Sequence, residues 1–332
     1  MAASIRDVAL KAGVSTATVS HVLNGTRPAS QETRDRVMAA IKELGYAQNQ
    51  AARDLARGRS SFLGMIVSDV RNPFFPEIIS AFQDQALAHD MDALVLNTNY
   101  DPDQTLKSVQ RLIGLQVPGV AILTSQIDPG IADILKERNI AAVYLDLGLV
   151  GPLISNLILE YENGISEAVE YLADLGHRRI AYLGGPPHLP SSERRKRAFV
   201  DAMIRLGLRL DQVVDGDFTV KGSYQAACKI LSSNAPTAIV AGNDLTAIGI
   251  MHCAYDRGLN VPEQLSVVGF DDIFLAEYTQ PALTTVSVPR SEIGRIAFEA
   301  LWAMISKPSE GGFESRINTR LIRRQSAAAP CN

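Results

Sequence analysis

The spacing of apolar residues changes once along the chain. In the first 45 positions they recur at helical intervals, and beyond residue 61 they come in short runs separated by longer amphipathic stretches. Ser4 precedes the first helical pattern, in which Val8 and Ala9 face inward and Gly13 ends the helix. Asp7 stands three residues after Ser4, where Glu or Gln is the usual capping-box partner. Ser15 is a suitable N-cap for a second helix running to about Leu23, with Val19, Val22 and Leu23 as its inner stripe. Thr16, Ala17, Ser20 and His21 then face outward, and Asn24-Gly25 stops the helix. Ser30 caps a third, with Val37, Ile41 and Leu44 inward and Gly45 closing it. The next stretch, NQAARDLARGRSS from Asn49 to Ser61, is polar, with Leu55 its one prominent apolar residue, and reads as a linker.

From Phe62 onward, β-rich runs alternate with helical ones. The first series is FLGMIVS (62–68), DALVLNT (92–98), GVAILTS (119–125) and AAVYLD (141–146). Helical patterns over Pro76–His89 and Pro102–Gln116 lie between them. A second series follows: RIAYLGG (179–185), VVDGDF (213–218), TAIVAGN (237–243) and LSVVGFDD (265–272). Alternating strand–helix units predict parallel sheets covered on both faces. Two series of similar length predict two doubly wound lobes, an α/β body behind an all-helical head. Ligands of such sheets bind at the carboxyl ends of the strands, which makes the cleft between the lobes the natural pocket.

Charge divides the chain at the same place. Residues 1–60 carry nine Lys and Arg against five Asp and Glu, a net +4, whereas the whole chain is −4. Two readings stand: a basic head that meets a polyanion, or an ordinary solvated face. No apolar run reaches the length of a membrane span, and the opening residues MAASIRD lack the pattern of a signal peptide. A cytoplasmic protein is expected. Cys228, Cys253 and Cys331 include no C-x-x-C pair; the first two fall in helical patterns and read as small buried hydrophobes. The five histidines lack metal-ligand spacing, so neither a metal nor a cofactor is expected.

Two short helices joined by a Gly-containing turn form a helix-turn-helix, unless they are simply a packed hairpin. An α-helix fits the major groove of DNA, with its N-terminal residues on the base edges. Small side chains at Thr16 and Ala17 permit close approach, a methyl can meet a thymine methyl, and His21 lies one turn further on. The hydroxyls of Thr18 and Ser20 suit phosphates, which set register without reading sequence.

Residues 5–60 closely resemble the DNA-binding head of the LacI/GalR family of bacterial transcriptional regulators. The carrying stretches are IRDVALKAGVSTATVSHVLNG, ETRDRVMAAIKELGY and NQAARDLARG. The resemblance continues through SDVRNPFFPEI (68–78), LGHRRIAYLGGP (175–186), ERRKRAF (193–199), AGNDLTAIG (241–249), VPEQLSVVGFDD (261–272) and QPALTTVSVP (280–289), in order across some 330 residues. It implies a helix-turn-helix domain over 1–48, a hinge helix or linker over 49–61, and a periplasmic-binding-protein-like effector domain over 62–332. The first lobe would comprise about 62–160 and 289–317, the second about 161–288 and 318–329.

It also implies a homodimer on a near-palindromic double-stranded operator, with Ser15, Thr16, Ala17, Thr18, Ser20, His21 and Asn24 toward DNA. Leu55 would wedge into the minor groove, favouring easily deformed central steps, with Arg53 and Arg57 beside it. The lysine found in the hinge of purine-responsive members is Ala56 here. In the body, motif matching selects Phe74, Phe75, Ser125, Asp146, Arg195, Phe218, Asn243 and Asp271 as effector contacts. Acids, an amide and an arginine suit vicinal hydroxyls, and ring faces suit a sugar. Phe74 and Phe75 also read as core, and Asn243 and Asp271 also read as helix caps.

Purine-responsive members carry a tryptophan and an arginine where this chain has Leu147 and Leu189. A sugar or sugar derivative is therefore the expected effector, with a purine or nucleoside as the alternative and a phosphosugar on Arg194 or Arg195 left open. A plain periplasmic-type sugar-binding protein is disfavoured by the head. An α/β enzyme is disfavoured too: there is no G-x-G-x-x-G fingerprint, Walker A sequence or G-x-S-x-G elbow.

Overall fold

In the computed structural model the described residues are 3–24, 27–47, 60–124, 127–128, 130–232 and 235–331. They form two units, divided between Ser60 and Ser61. The first holds α1 (Ile5–Ala12), α2 (Thr16–Asn24) and α3 (Gln31–Leu44). Ser4 accepts from the Asp7 amide while Asp7 accepts from the Ser4 amide, so the shorter acid completes the capping box. Ser15 Oγ accepts from the Thr18 amide at 3.0 Å, and Ser30 Oγ from the Thr33 amide at 3.3 Å. Gly13 and Gly45 end α1 and α3 at φ 65° and 58°, a left-handed turn that a side chain would strain. Val8, Ala12, Val19, Val22, Val37 and Ala40 close a small core.

The second unit is built on two six-stranded sheets. One contains β1 (Phe62–Val67), β2 (Asp92–Asn97), β3 (Gly119–Leu123), β4 (Ala141–Leu145), β5 (Ile154–Glu160) and β11 (Glu314–Asn318). Its order is β11-β5-β4-β3-β1-β2, and every pair is parallel. The other contains β6 (Ile180–Leu183), β7 (Val213–Val214), β8 (Ala238–Ala241), β9 (Ser266–Asp271), β10 (Thr284–Ser287) and β12 (Arg320–Ile322). Its order is β12-β10-β9-β8-β6-β7, with β12 antiparallel to β10.

The connecting helices are α4 (Phe74–Ala88), α5 (Pro102–Gly114), α6 (Gly130–Glu137), α7 (Tyr161–Asp174), α8 (Pro190–Arg205), α9 (Val220–Ile230), α10 (Asp244–Asp256) and α11 (Arg290–Ser306). Central strands such as β3 and β9 are buried along their whole length, as parallel sheets covered on both faces require.

Periodicity misplaces several elements. VVDGDF yields strand only at Val213–Val214, because the Asp217 carboxylate accepts from the Thr219 amide and hydroxyl and opens α9. α4 begins at Phe74, two residues before Pro76, since Asn72 Oδ1 accepts from the Phe74 amide. Four further strands, β5, β10, β11 and β12, lie outside the predicted series. Cys228 and Cys253 are not independent hydrophobes. They form a disulfide between α9 and α10, which pack side by side. A separation of 25 residues carries no local pairing signal, so only the packing of the two helices reveals the bond. Among the described residues, no helix is long and apolar enough to cross a membrane.

Candidate functional site

The exposed start of α2 presents Ser15, Thr16 and Ala17, with Thr18, Ser20 and His21 half-buried behind them. The Ser15 and Thr18 hydroxyls lie 2.9 Å apart, so this pair stabilises the helix start as well as facing outward. The Asn24 side chain and residues Arg53, Leu55 and Arg57 lie outside the described residues, as does Ser125.

In the second unit a cavity opens at the carboxyl ends of both sheets. Phe74, Phe75, Asp146, Arg195, Phe218, Asn243 and Asp271 all line it. Asp146, Phe218 and Asp271 follow or end strands with φ of 60°, 60° and 109°. Side-chain-bearing residues rarely adopt this left-handed backbone, and where they do the surroundings must hold them there.

Arg195 is the buried centre of the cleft. Its Nη1 donates to the Gly242 carbonyl at 2.6 Å, and Nη2 stands 3.6 Å from Asp271 Oδ1. Its guanidinium carbon lies 4.3 Å from the Phe270 ring centroid, 5.1 Å from Tyr161 and 5.5 Å from Phe218. Arg195 Nε and Asp271 Oδ1 are buried and lack a hydrogen-bond partner among the described residues. Buried polar atoms are nearly always paired, so two unpaired ones on facing opposite charges are unusual. Burial pushes the Asp271 carboxyl up to about 6, against the pull of Arg195 and Arg290. Asn243 spends its side-chain oxygen on the Thr246 amide, at 2.8 Å, as the cap of α10.

Asp146 borders the cavity, but its oxygens are already engaged. Oδ2 accepts from the Tyr161 hydroxyl at 2.6 Å; Oδ1 accepts from the Leu159 amide at 3.0 Å and Arg194 Nη1 at 2.9 Å. Arg194 also donates to the Leu159 carbonyl. Neither Leu147 nor Leu189 is among the lining residues: Leu189 is buried at the start of α8, and Leu147 packs against the core of the first sheet. Sequence reasoning missed Ser68, Asn72, Tyr100, Tyr161 and Ser191 as lining residues. Ser68 and Asn72 sat in a quoted motif, at the carboxyl end of the first strand, where they could have been found. Tyr100 had no such signal; it reaches the cavity through left-handed backbone at Asn99 and Tyr100 (φ 51° and 60°).

Residues 4–49 match the model of bacterial regulatory proteins of the lacI family, and residues 169–327 match the periplasmic binding protein-like domain. The chain is 33% identical to the HTH-type transcriptional repressor PurR of Proteus mirabilis (strain HI4320), over 98% of this chain and 97% of that protein. It is 35% identical to the HTH-type transcriptional repressor CytR of Escherichia coli (strain K12), over 99% and 97%. Among solved structures, the lac repressor dimer bound to operator and the anti-inducer ONPF superposes with a TM-score of 0.86 at 27% identity, covering 99% of this chain and all of that one. A transcriptional regulator CelR–cellobiose complex gives a TM-score of 0.74 at 27% identity, covering 98% and 100%. The chain belongs to the LacI family of bacterial transcriptional regulators. It is thus a DNA-binding transcriptional repressor with a small-molecule effector domain, and not an enzyme.

Proposed function

We propose that this repressor binds a near-palindromic operator as a homodimer and is controlled by a sugar or sugar derivative held between the lobes of its second unit. The carrying observation is the Arg195–Asp271 pair. Each partner keeps an open buried polar atom beside the aromatic faces of Tyr161 and Phe218, which line the cavity. A donor and an acceptor side by side suit neighbouring hydroxyls, and ring faces suit the apolar face of a pyranose or furanose.

The charges favour a neutral ligand over a phosphosugar. Arg194 is paired with Asp146 at 2.9 Å and Arg195 faces Asp271, so neither guanidinium is left as a spare cation for phosphate. The cellobiose complex of a structural neighbour supports the same chemical class. Leu147 and Leu189 bring neither the indole nor the guanidinium that purine-responsive members carry at these positions. On the DNA side, Thr16, Ala17 and His21 read base edges in the major groove, Ser15, Thr18, Ser20 and Asn24 serve backbone contacts, and Leu55 with Arg53 and Arg57 engages the minor groove.

A thermal-shift panel of mono- and disaccharides, sugar phosphates, sugar acids, nucleosides and purines tests the effector class. A ligand present at 100 times its dissociation constant stabilises the fold by roughly 2.7 kcal/mol, which is readily seen. A shift with a neutral sugar that also releases operator DNA, or tightens it, is the expected result. A shift with a purine or nucleoside alone would overturn the sugar assignment while leaving DNA binding intact.

A further inference from the structure

The turn that carries Asp271 is strained and held from several sides. Asp271 and Asp272 are consecutive side-chain-bearing residues at φ 109° and 56°. The Ile273 amide donates to Asp244 Oδ2 at 2.8 Å, and Arg324 Nη2 lies 2.8 Å from Asp272 Oδ1. Both of those holders belong to the second lobe. The third is Arg290, whose Nη1 donates to the Asp271 carbonyl.

Arg290 is the first residue of α11, which packs along α4, β3 and β4 of the first lobe. The rest of its guanidinium faces that lobe: Nε donates to Glu77 Oε2 at 2.8 Å, and Nη2 lies 2.7 Å from the same oxygen. Ser291 donates to the other oxygen of Glu77 at 2.5 Å. Glu77 is in the first turn of α4, the helix that begins with the cavity residues Phe74 and Phe75. The Arg290 side chain is 9% exposed. A planar fork can hold two partners at fixed angles, which the single ammonium of a lysine cannot do.

We infer that Arg290 is a positioning residue for effector recognition: it fixes the Asp271 turn so that the carboxylate faces Arg195, and it ties that turn to Glu77 on α4. This rests on the reading of the cleft as the effector site. Under it, a ligand that displaces Asp271 acts on the start of α4 through one side chain. By linkage, any change in α4 acts back on Asp271.

The test is amide hydrogen exchange on the full-length protein without effector or DNA. It compares the unchanged chain with Arg290→Met, Arg290→Lys and Glu77→Gln. Arg290→Met is expected to speed exchange about tenfold or more in residues 271–273 and also in the first turn of α4. Glu77→Gln touches only the α4 side, yet it should also speed exchange at 271–273. Arg290→Lys should protect one of the two segments and release the other. Unchanged exchange at 271–273 in Glu77→Gln would overturn the proposal, and this variant on a half-exposed side chain stays informative if Arg290→Met does not fold. No effector enters the measurement, so an error in the effector class would leave the result standing.

Discussion

Tyr161 donates its hydroxyl to Asp146 Oδ2 across 2.6 Å, and this bond converts a strand-end acid into an anchor of the cleft wall. Burial holds Asp146 above the usual carboxylate range, although Tyr161, the Leu159 amide and Arg194 all favour its ionised form. Tyr161→Phe removes a donor from a buried acceptor. It should destabilise the fold by roughly 1–3 kcal/mol. In urea the midpoint is expected to fall with the slope unchanged.

Stability should decline from acid toward neutral pH more steeply than in a variant lacking Asp271. Burial raises this carboxyl from 3.8 to about 6, so the folded chain binds the proton more tightly than the unfolded one. Its favourable contribution is complete below the unfolded value and is lost as pH climbs through about 6. Asp244, raised by burial and then by the charge of Asp271, acts in the same direction. Melting curves of the unchanged chain and Asp271→Asn, taken between about pH 4 and pH 7, should show the variant gaining on the order of 2 kcal/mol in relative terms.

Arg195→Ala should abolish the response of operator binding to the effector identified by the thermal-shift panel. It also leaves Asp271 buried without its cation, a change that costs roughly 3–5 kcal/mol. The variant should therefore melt earlier while the full-length protein, below its melting temperature, still binds operator DNA. A full effector response in Arg195→Ala would move the pocket elsewhere.

On DNA, His21→Ala should relax base preference at one position per half-site, by roughly 1–3 kcal/mol of discrimination, in sites selected from random sequence. Leu55→Ala should weaken operator affinity strongly and leave effector binding unchanged.

The disulfide sets the count of reactive thiols. Air-oxidised protein, denatured without reductant, should expose one thiol per chain, Cys331, and three after reduction. Closing a loop of 25 residues is worth roughly 3 kcal/mol. Reduction should lower the melting temperature accordingly, and Cys228→Ser should remove that sensitivity.

The order of elements was largely legible in the sequence because local rules act over a few residues. Ser4, Ser15 and Ser30 cap helices where a hydroxyl precedes an apolar stripe. The runs at 62–68 and 265–272 are strands because a sheet covered on both faces needs unbroken apolar stretches. The short edge strands β11 and β12 gave little signal, since few of their side chains are buried. Their pairing is decided by neighbours distant in the chain.

The same division holds in the cleft. Residue types and their places in the family motifs were enough to select Phe74, Phe75, Arg195, Phe218, Asn243 and Asp271, because carboxyl ends of parallel strands converge on one edge of each sheet. What each side chain does there was decided only by tertiary contacts. Arg194 and Arg195 are adjacent in sequence, yet a helix turns successive side chains by about 100°, so one closes on Asp146 and the other on Asp271. Cys228 meets Cys253, and Arg290 meets both Glu77 and Asp271, through packing between helices and lobes that no local pattern encodes. Local spacing determined which elements form, and the close approach of groups far apart in the chain determined which charges and polar atoms remain available in the cleft.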